Sequence, residues 1–309
     1  MKIQQILVAT DLSQGAGQTY HHVAGLASQL EAHVTLLNVD EVSRFGFADS
    51  RAMHDYLERV GRERHRLLQE AREQLEAQGV EVSTEIVQGH PVTELLARAV
   101  PDRAQLLVLA KRGLRSLRRL ILGHTTKRVL RDVKIPTLVL PAQPAGETDE
   151  PLPAYHRILV AADFKPSARR GLAEVLELAE ALDAQVDFVH VLRLPVPLPS
   201  LPGEAPMLVP MNSRVDMARN LAADLARIVD ELGPGRCTPT VTVGISVAES
   251  LLEAAQDART DLIAIPSRSR GRVASALFGS TTDNVVKLAH LPVLVLPAQW
   301  LLERDKPAP

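Results

Sequence analysis

A chain of 309 residues is long enough for two domains of the usual size, about 100–200 residues each. Hydrophobic residues at 46% and charged residues at 23% match a folded globular protein, which excludes wholesale disorder and a fibrous architecture. Thirty-five Lys and Arg stand against 37 Asp and Glu; the net charge of -2 gives no global pull toward nucleic acid or an anionic membrane, so a polyanion partner needs a local patch.

The chain opens on a short apolar run that Asp11 interrupts, too short for a signal-peptide core, and no stretch of about 18 apolar residues follows, so no membrane partner is expected. Short Val/Leu/Ile runs and amphipathic segments then alternate. Strands are predicted at 6–9, 34–39, 82–87, 106–109 and 137–140, and helices at 19–30, 55–78, 92–100 and 125–131. Runs that are continuously apolar mark strands buried on both faces, as in a parallel sheet covered by helices. In the second of these helices Leu67, Leu68, Ala71 and Leu75 take one side and charges the other, an ordinary surface helix.

The pattern then starts again. Ile6-Leu-Val-Ala-Thr-Asp11 returns as Ile158-Leu-Val-Ala-Ala-Asp163, and Ile135-Pro-Thr-Leu-Val-Leu-Pro-Ala-Gln143 returns as Leu291-Pro-Val-Leu-Val-Leu-Pro-Ala-Gln299. A repeat of about 150 residues is a whole domain, unlike the 20–50 residue units of solenoids. The second copy predicts strands at 158–161, 186–191, 238–243, 262–265 and 293–296, and helices at 168–182, 213–232, 248–258 and 282–288. The expected organisation is domain 1 at 1–143, a Pro-rich acidic linker at 144–154, domain 2 at 155–300 and a tail at 301–309. Each domain is a doubly wound α/β fold of about five parallel strands. Six prolines in 194–212 forbid a regular helix there, which leaves an irregular loop or a lid.

Ligands of open α/β sheets bind beyond the carboxyl ends of the strands where strand order reverses. Asp11 and Asp163 each follow the first strand of a copy; such an acid either accepts a hydrogen bond from a ligand or caps the next helix. The fourth strand of copy 1 ends Ala110-Lys-Arg-Gly113, and Gly123-His-Thr-Thr126 opens a helix whose unpaired N–H groups favour an anion. Neither G-x-x-x-x-G-K-[ST] nor G-x-G-x-x-G stands at a strand end, so the P-loop and the usual dinucleotide fingerprint are both absent. Lys111, Arg112, Arg115, Arg118 and Arg119 form a basic run, answered by Arg268, Arg270 and Arg272; apart from Arg112 and Arg268 these are read as a solvated loop.

No catalytic residues are assigned: no Ser/His/Asp or Cys/His arrangement and no acid–base carboxylate pair can be assembled, so enzyme activity is expected to be at most slow ATP hydrolysis. His21, His22, His54 and His65 form no metal-ligand spacing, and no metal site is expected. The lone Cys237 cannot close an intramolecular disulfide, which suits a reducing cytoplasm. Aromatic residues at 3% leave little for stacking on bases, which demotes nucleic acid.

A V-x-x-D start, Gly89-His90-Pro91, a strand ending in a G-x2-G-x9-G-[ST] pattern and a last strand after Ile-Pro together resemble the universal stress protein family, and the resemblance covers nearly the whole chain twice. The resemblance implies a tandem member whose two domains imitate the dimer of single-domain relatives, pairing through residues 137–140 and 293–296. It also implies a stress-response protein that holds ATP or AMP, with Mg2+ accompanying ATP, and signals through a protein partner; further oligomerisation is compatible with it. On the family pattern Ala9, Thr10, Asp11 and Val39 surround adenine and ribose, while Ala110, Arg112, Gly113, Gly123, His124, Thr125 and Thr126 follow the phosphate motif. Ala110 replaces the first motif glycine, and His124 the usual hydroxyl. In copy 2 the matching positions are Ala161, Asp163, Val191, Arg268, Ser269, Gly279, Ser280, Thr281 and Thr282, with Pro266 replacing the first glycine and Ser269 the second. Copy 1 is therefore the expected nucleotide site. The alternative is a degenerate pseudo-dimer that serves as an interaction scaffold or holds another small ligand.

Overall fold

The structure is a computed structural model that describes residues 1–13, 16–41, 51–111, 122–141, 154–193, 211–233, 235–267 and 279–304. The predicted linker at 144–154, apart from its last residue, and the Pro-rich stretch through residue 210 lie outside the described residues. The chain divides into two compact units close to residue 154.

In the N-terminal unit the elements run β1 (Gln5–Ala9), α1 (Ala16–Leu30), β2 (His33–Asp40), α2 (Arg51–Glu76), β3 (Val82–Gln88), α3 (Pro91–Arg98), β4 (Leu106–Ala110), α4 (His124–Asp132) and β5 (Thr137–Leu140). Its strands are parallel in the order β3-β2-β1-β4-β5, with Ala9 opposite Leu37, Val8 opposite Val108 and Ala110 opposite Leu140. Ile6, Val8, Leu36, Leu107 and Val108 are at most 1% exposed, which is why these strands read as unbroken apolar runs. Each such side chain contributes about 1.5–3 kcal/mol on burial. On α2, Leu68, Ala71 and Leu75 are buried at helical spacing.

The C-terminal unit repeats this plan with β6 (Arg157–Ala162), α5 (Pro166–Ala181), β7 (Gln185–Arg193), α6 (Met211–Leu232), β8 (Cys237–Gly244), α7 (Val247–Asp257), β9 (Leu262–Pro266), α8 (Ser280–Leu288) and β10 (Val293–Leu296). The order is β8-β7-β6-β9-β10, again all parallel. Repetition extends to the turns. Leu12 and Phe164, one residue past each strand-end Asp, share left-handed φ values of 54° and 45°. Glu31 and Asp183, which end α1 and α5, share 51° and 50°.

Two elements extend the predicted pattern. Helix α6 starts at Met211, so the last two residues of the stretch expected to be irregular are helical. A further helix, α9 (Ala298–Glu303), follows β10 and buries Trp300 and Leu301, so ordered structure runs past residue 300.

The Gly-x-Pro turn before α3 has a structural reason for its glycine. Gly89 has φ 155°, and a Cβ there would lie 2.7 Å from Glu94 Oε1 and 2.9 Å from Glu94 Cγ. Glu94 and Glu85 both pair with Arg98 at 2.7 Å, which limits how far Glu94 retreats. Gly89→Ala is expected to cost about 1–3 kcal/mol, read as a lower urea midpoint at constant slope; an unchanged midpoint would show that the turn relaxes freely.

Candidate functional site

The N-terminal sheet grows from β1 outward to β2 and β3, then returns to the other side of β1 with β4, so strand order reverses between β1 and β4. Crevices at such reversals hold ligands beyond the carboxyl ends of the strands. Ala9, Thr10 and Asp11 form one wall, Ala110 and Lys111 the other, and Val39 continues the neighbouring strand.

Side chains fix the end of β1. The Thr10 N–H donates to Leu37 O at 3.0 Å, and the Asn38 amide donates to Thr10 O at 2.8 Å. Arg64 of α2 holds that amide in turn, donating to Asn38 Oδ1 at 2.8 Å while pairing with Asp40 at 2.8 Å. Thr10 Oγ1 accepts from the Leu12 N–H at 3.1 Å and shares a 2.6 Å hydrogen bond with the Tyr20 hydroxyl. Burial pushes the Tyr20 phenol up to about 12, so it stays neutral at physiological pH.

Asp11 closes the turn that leads toward α1. Its Oδ1 accepts from the Ser13 N–H at 3.1 Å, an Asx turn that closes ahead of the helix, and Asp163 makes the same turn with the Lys165 N–H at 3.3 Å. Asp11 is exposed at the mouth of the crevice, while Asp163 is half-buried.

Lys111, the first residue of the basic run, differs from the solvated loop expected of it. Lys111 is only 8% exposed, and burial pulls its amine down to about 8. Its N–H continues the ladder to Leu140 O at 3.0 Å, which anchors it at the carboxyl edge of β4. Arg112, Gly113 and the rest of the run lie outside the described residues.

Gly123 caps α4 with no side-chain bond, followed by exposed His124, half-buried Thr125 and buried Thr126. Among the described residues a Cβ on Gly123 would find only Thr126 Oγ1, 3.7 Å away in ordinary contact, and φ -55°, ψ 146° suits any residue. Gly279, capping α8 ahead of exposed Ser280, half-buried Thr281 and buried Thr282, has the same freedom, with Thr282 Oγ1 at 3.9 Å. Capping accounts for glycine over alanine at these positions, but not over Ser or Asp.

In the C-terminal unit the strand end is built from other residues. Ala162 stands for Thr10, and His190 for Asn38, with Nδ1 2.9 Å from Ala162 O; a carbonyl only accepts, so Nδ1 carries the proton. The Phe164 ring packs 4.7 Å from the His190 ring. Ala161 is half-buried and Val191 buried, and Pro266 closes β9. Arg268 and Ser269 lie outside the described residues. Sequence reasoning missed Asn38, Arg64, Tyr20, Phe164 and His190; a polar side chain at one register position of two apolar strands was the available signal.

A cavity of about 100 Å³ in the N-terminal unit is lined by Ile6, Leu7 and Thr35 from the body of the sheet and contains none of the predicted site residues. Among the described residues, no three His, Cys, Asp or Glu side chains cluster as metal ligands, and no helix is long and apolar enough to cross a membrane.

The sequence model of the universal stress protein family matches residues 2–141 and 154–297. A universal stress protein of Mycolicibacterium smegmatis is 25% identical over 300 residues, covering 94% of this chain and 96% of its own. One from Methanocaldococcus jannaschii is 28% identical over 138 residues, 44% of this chain and 81% of its own. The crystal structure of a universal stress protein from Archaeoglobus fulgidus superposes with a TM-score of 0.69 at 18% identity over 95% of this chain and 98% of that one, a likeness of fold.

Proposed function

The chain belongs to the universal stress protein family, and on that premise we propose that it binds an adenine nucleotide, ATP or AMP, at the β1–β4 reversal of its N-terminal unit and passes occupancy to a protein partner. The observation that carries this reading is Gly123. Among the described residues nothing crowds a side chain there, and the backbone angle accepts one. A glycine that internal packing does not require is explained by close approach of a ligand to the α4 N-terminus, where N–H groups favour phosphate. Asp11, exposed at the opposite wall, supplies an acceptor for ribose hydroxyls, and His124, exposed on the first turn of α4, offers a ring N–H toward phosphate. Mg2+ enters with ATP, on the phosphates' own oxygens rather than in a protein cage.

Cys237 fits a reducing cytoplasm: burial pushes its thiol up to about 12, so it stays an unreactive thiol.

Gly123→Ala tests the site at a small cost in helix capping, about 0.5–1 kcal/mol. Wild type with ATP or AMP at about 100 times Kd should gain about 2.7 kcal/mol of stability. The variant should unfold at a similar temperature without ligand and bind about tenfold more weakly. Equal affinity in both proteins would remove Gly123 from the site. No shift of melting temperature with either nucleotide at millimolar concentration would favour the second reading, a scaffold without a nucleotide, for which Pro266 is the supporting observation.

A further inference from the structure

The two units differ at one packed pair in a way that bears on how many ligands a chain takes. Thr19 and Gly171 occupy equivalent positions, since the Ala16 N–H donates to Ser13 O and the Ala168 N–H to Lys165 O three residues before each. Ala110 and Pro266 are likewise equivalent, opposite Leu140 and Leu296. In the C-terminal unit bulk has moved from the helix to the strand. A Cβ on Gly171 would lie 2.8 Å from Pro266 Cβ and closer still to Cγ, so the proline ring occupies the place a helix side chain would take.

Pro266 sits where a ligand would meet the sheet. Val160 pairs with Ala264, so two residues on, Pro266 is level with Ala162, next to Asp163 at the β6–β9 reversal. The Ser267 N–H donates to Leu296 O at 2.8 Å, toward β10. Successive N–H groups of a strand point to opposite sides, so the nitrogen of residue 266 faces β6 and the crevice. Ala110 carries a hydrogen there and proline does not. The helix end of the frame is retained: Gly279 has φ -61°, ψ 144° against -55°, 146° at Gly123, and Thr282 is buried as Thr126 is.

We infer that Pro266, seated on Gly171, silences the crevice of the C-terminal unit, so that the chain takes one adenine nucleotide rather than two. This rests on the nucleotide-binding reading above for the identity of the ligand. Pro266→Ala with Gly171→Thr transplants the N-terminal pair, and ATP bound per full-length chain is counted by equilibrium dialysis and native mass spectrometry. The double variant should bind one more ATP than wild type, and Gly279→Ala should weaken that extra binding. Wild type with two ATP, or a double variant with no additional ATP, overturns the inference. If wild type binds none and the double variant one, the reading of the N-terminal unit fails while this inference stands. Gly171→Thr alone should lower the melting temperature, with Pro266→Ala restoring it; a double variant as unstable as the single would overturn the exchange itself.

Discussion

Lys111→Met is expected to stabilise the protein at pH 7 and to flatten its stability between pH 8 and 10.5. Burial holds the folded-state amine at about 8, whereas the unfolded chain titrates near 10.5. Within that window the unfolded state binds a proton that the folded state has released, so wild-type stability rises with pH. Below about pH 8 both states are protonated and the full cost of burying the ammonium is present, about 3 kcal/mol at most by that difference. Methionine fills similar space with no charge. Urea midpoints from pH 7 to 10.5 should climb for wild type and stay level for the variant. Parallel curves would mean that the Lys111 amine is solvated after all. A cation kept at this cost at the carboxyl end of β4 suits the proposed anionic ligand, so nucleotide affinity should fall as pH rises above about 8.

Gly171→Ala is expected to destabilise by about 3 kcal/mol, reversing the usual sign of this substitution. In an unhindered helix interior alanine is favoured over glycine by about 1 kcal/mol. Here the methyl meets the Pro266 ring, which has no rotamer into which to retreat, and overpacking of this kind costs about 1–3 kcal/mol and occasionally more. A fall in melting temperature of several degrees follows for a unit of this size, at about 2–4 °C per kcal/mol. A rise would show that β9 shifts easily and that the ring is not fixed.

Much of the fold is legible because its signals are local and doubled. The apolar runs of β1 and β6 recur with the same Asp at their ends, and both open the same parallel order. Lys111 shows where local reading fails: its neighbours 112, 115, 118 and 119 are basic, yet the strand before it carries its side chain under cover. Charge runs give no warning that their first member ends a buried strand. The Pro266–Gly171 exchange was equally hidden, since each substitution looks like degeneration until the two are seen in contact. Asp11 was placed at the site, but its Asx turn depends on the left-handed Leu12, a conformation that leucine does not advertise.

The direct test of the account is native mass spectrometry of freshly purified full-length protein, with ATP and AMP added back and the released small molecules identified after denaturation. The account predicts one adenine nucleotide per chain, lost or weakened in Gly123→Ala and retained in Gly279→Ala. A chain that binds neither nucleotide at millimolar concentration, or whose nucleotide is lost with Gly279→Ala rather than Gly123→Ala, would contradict it.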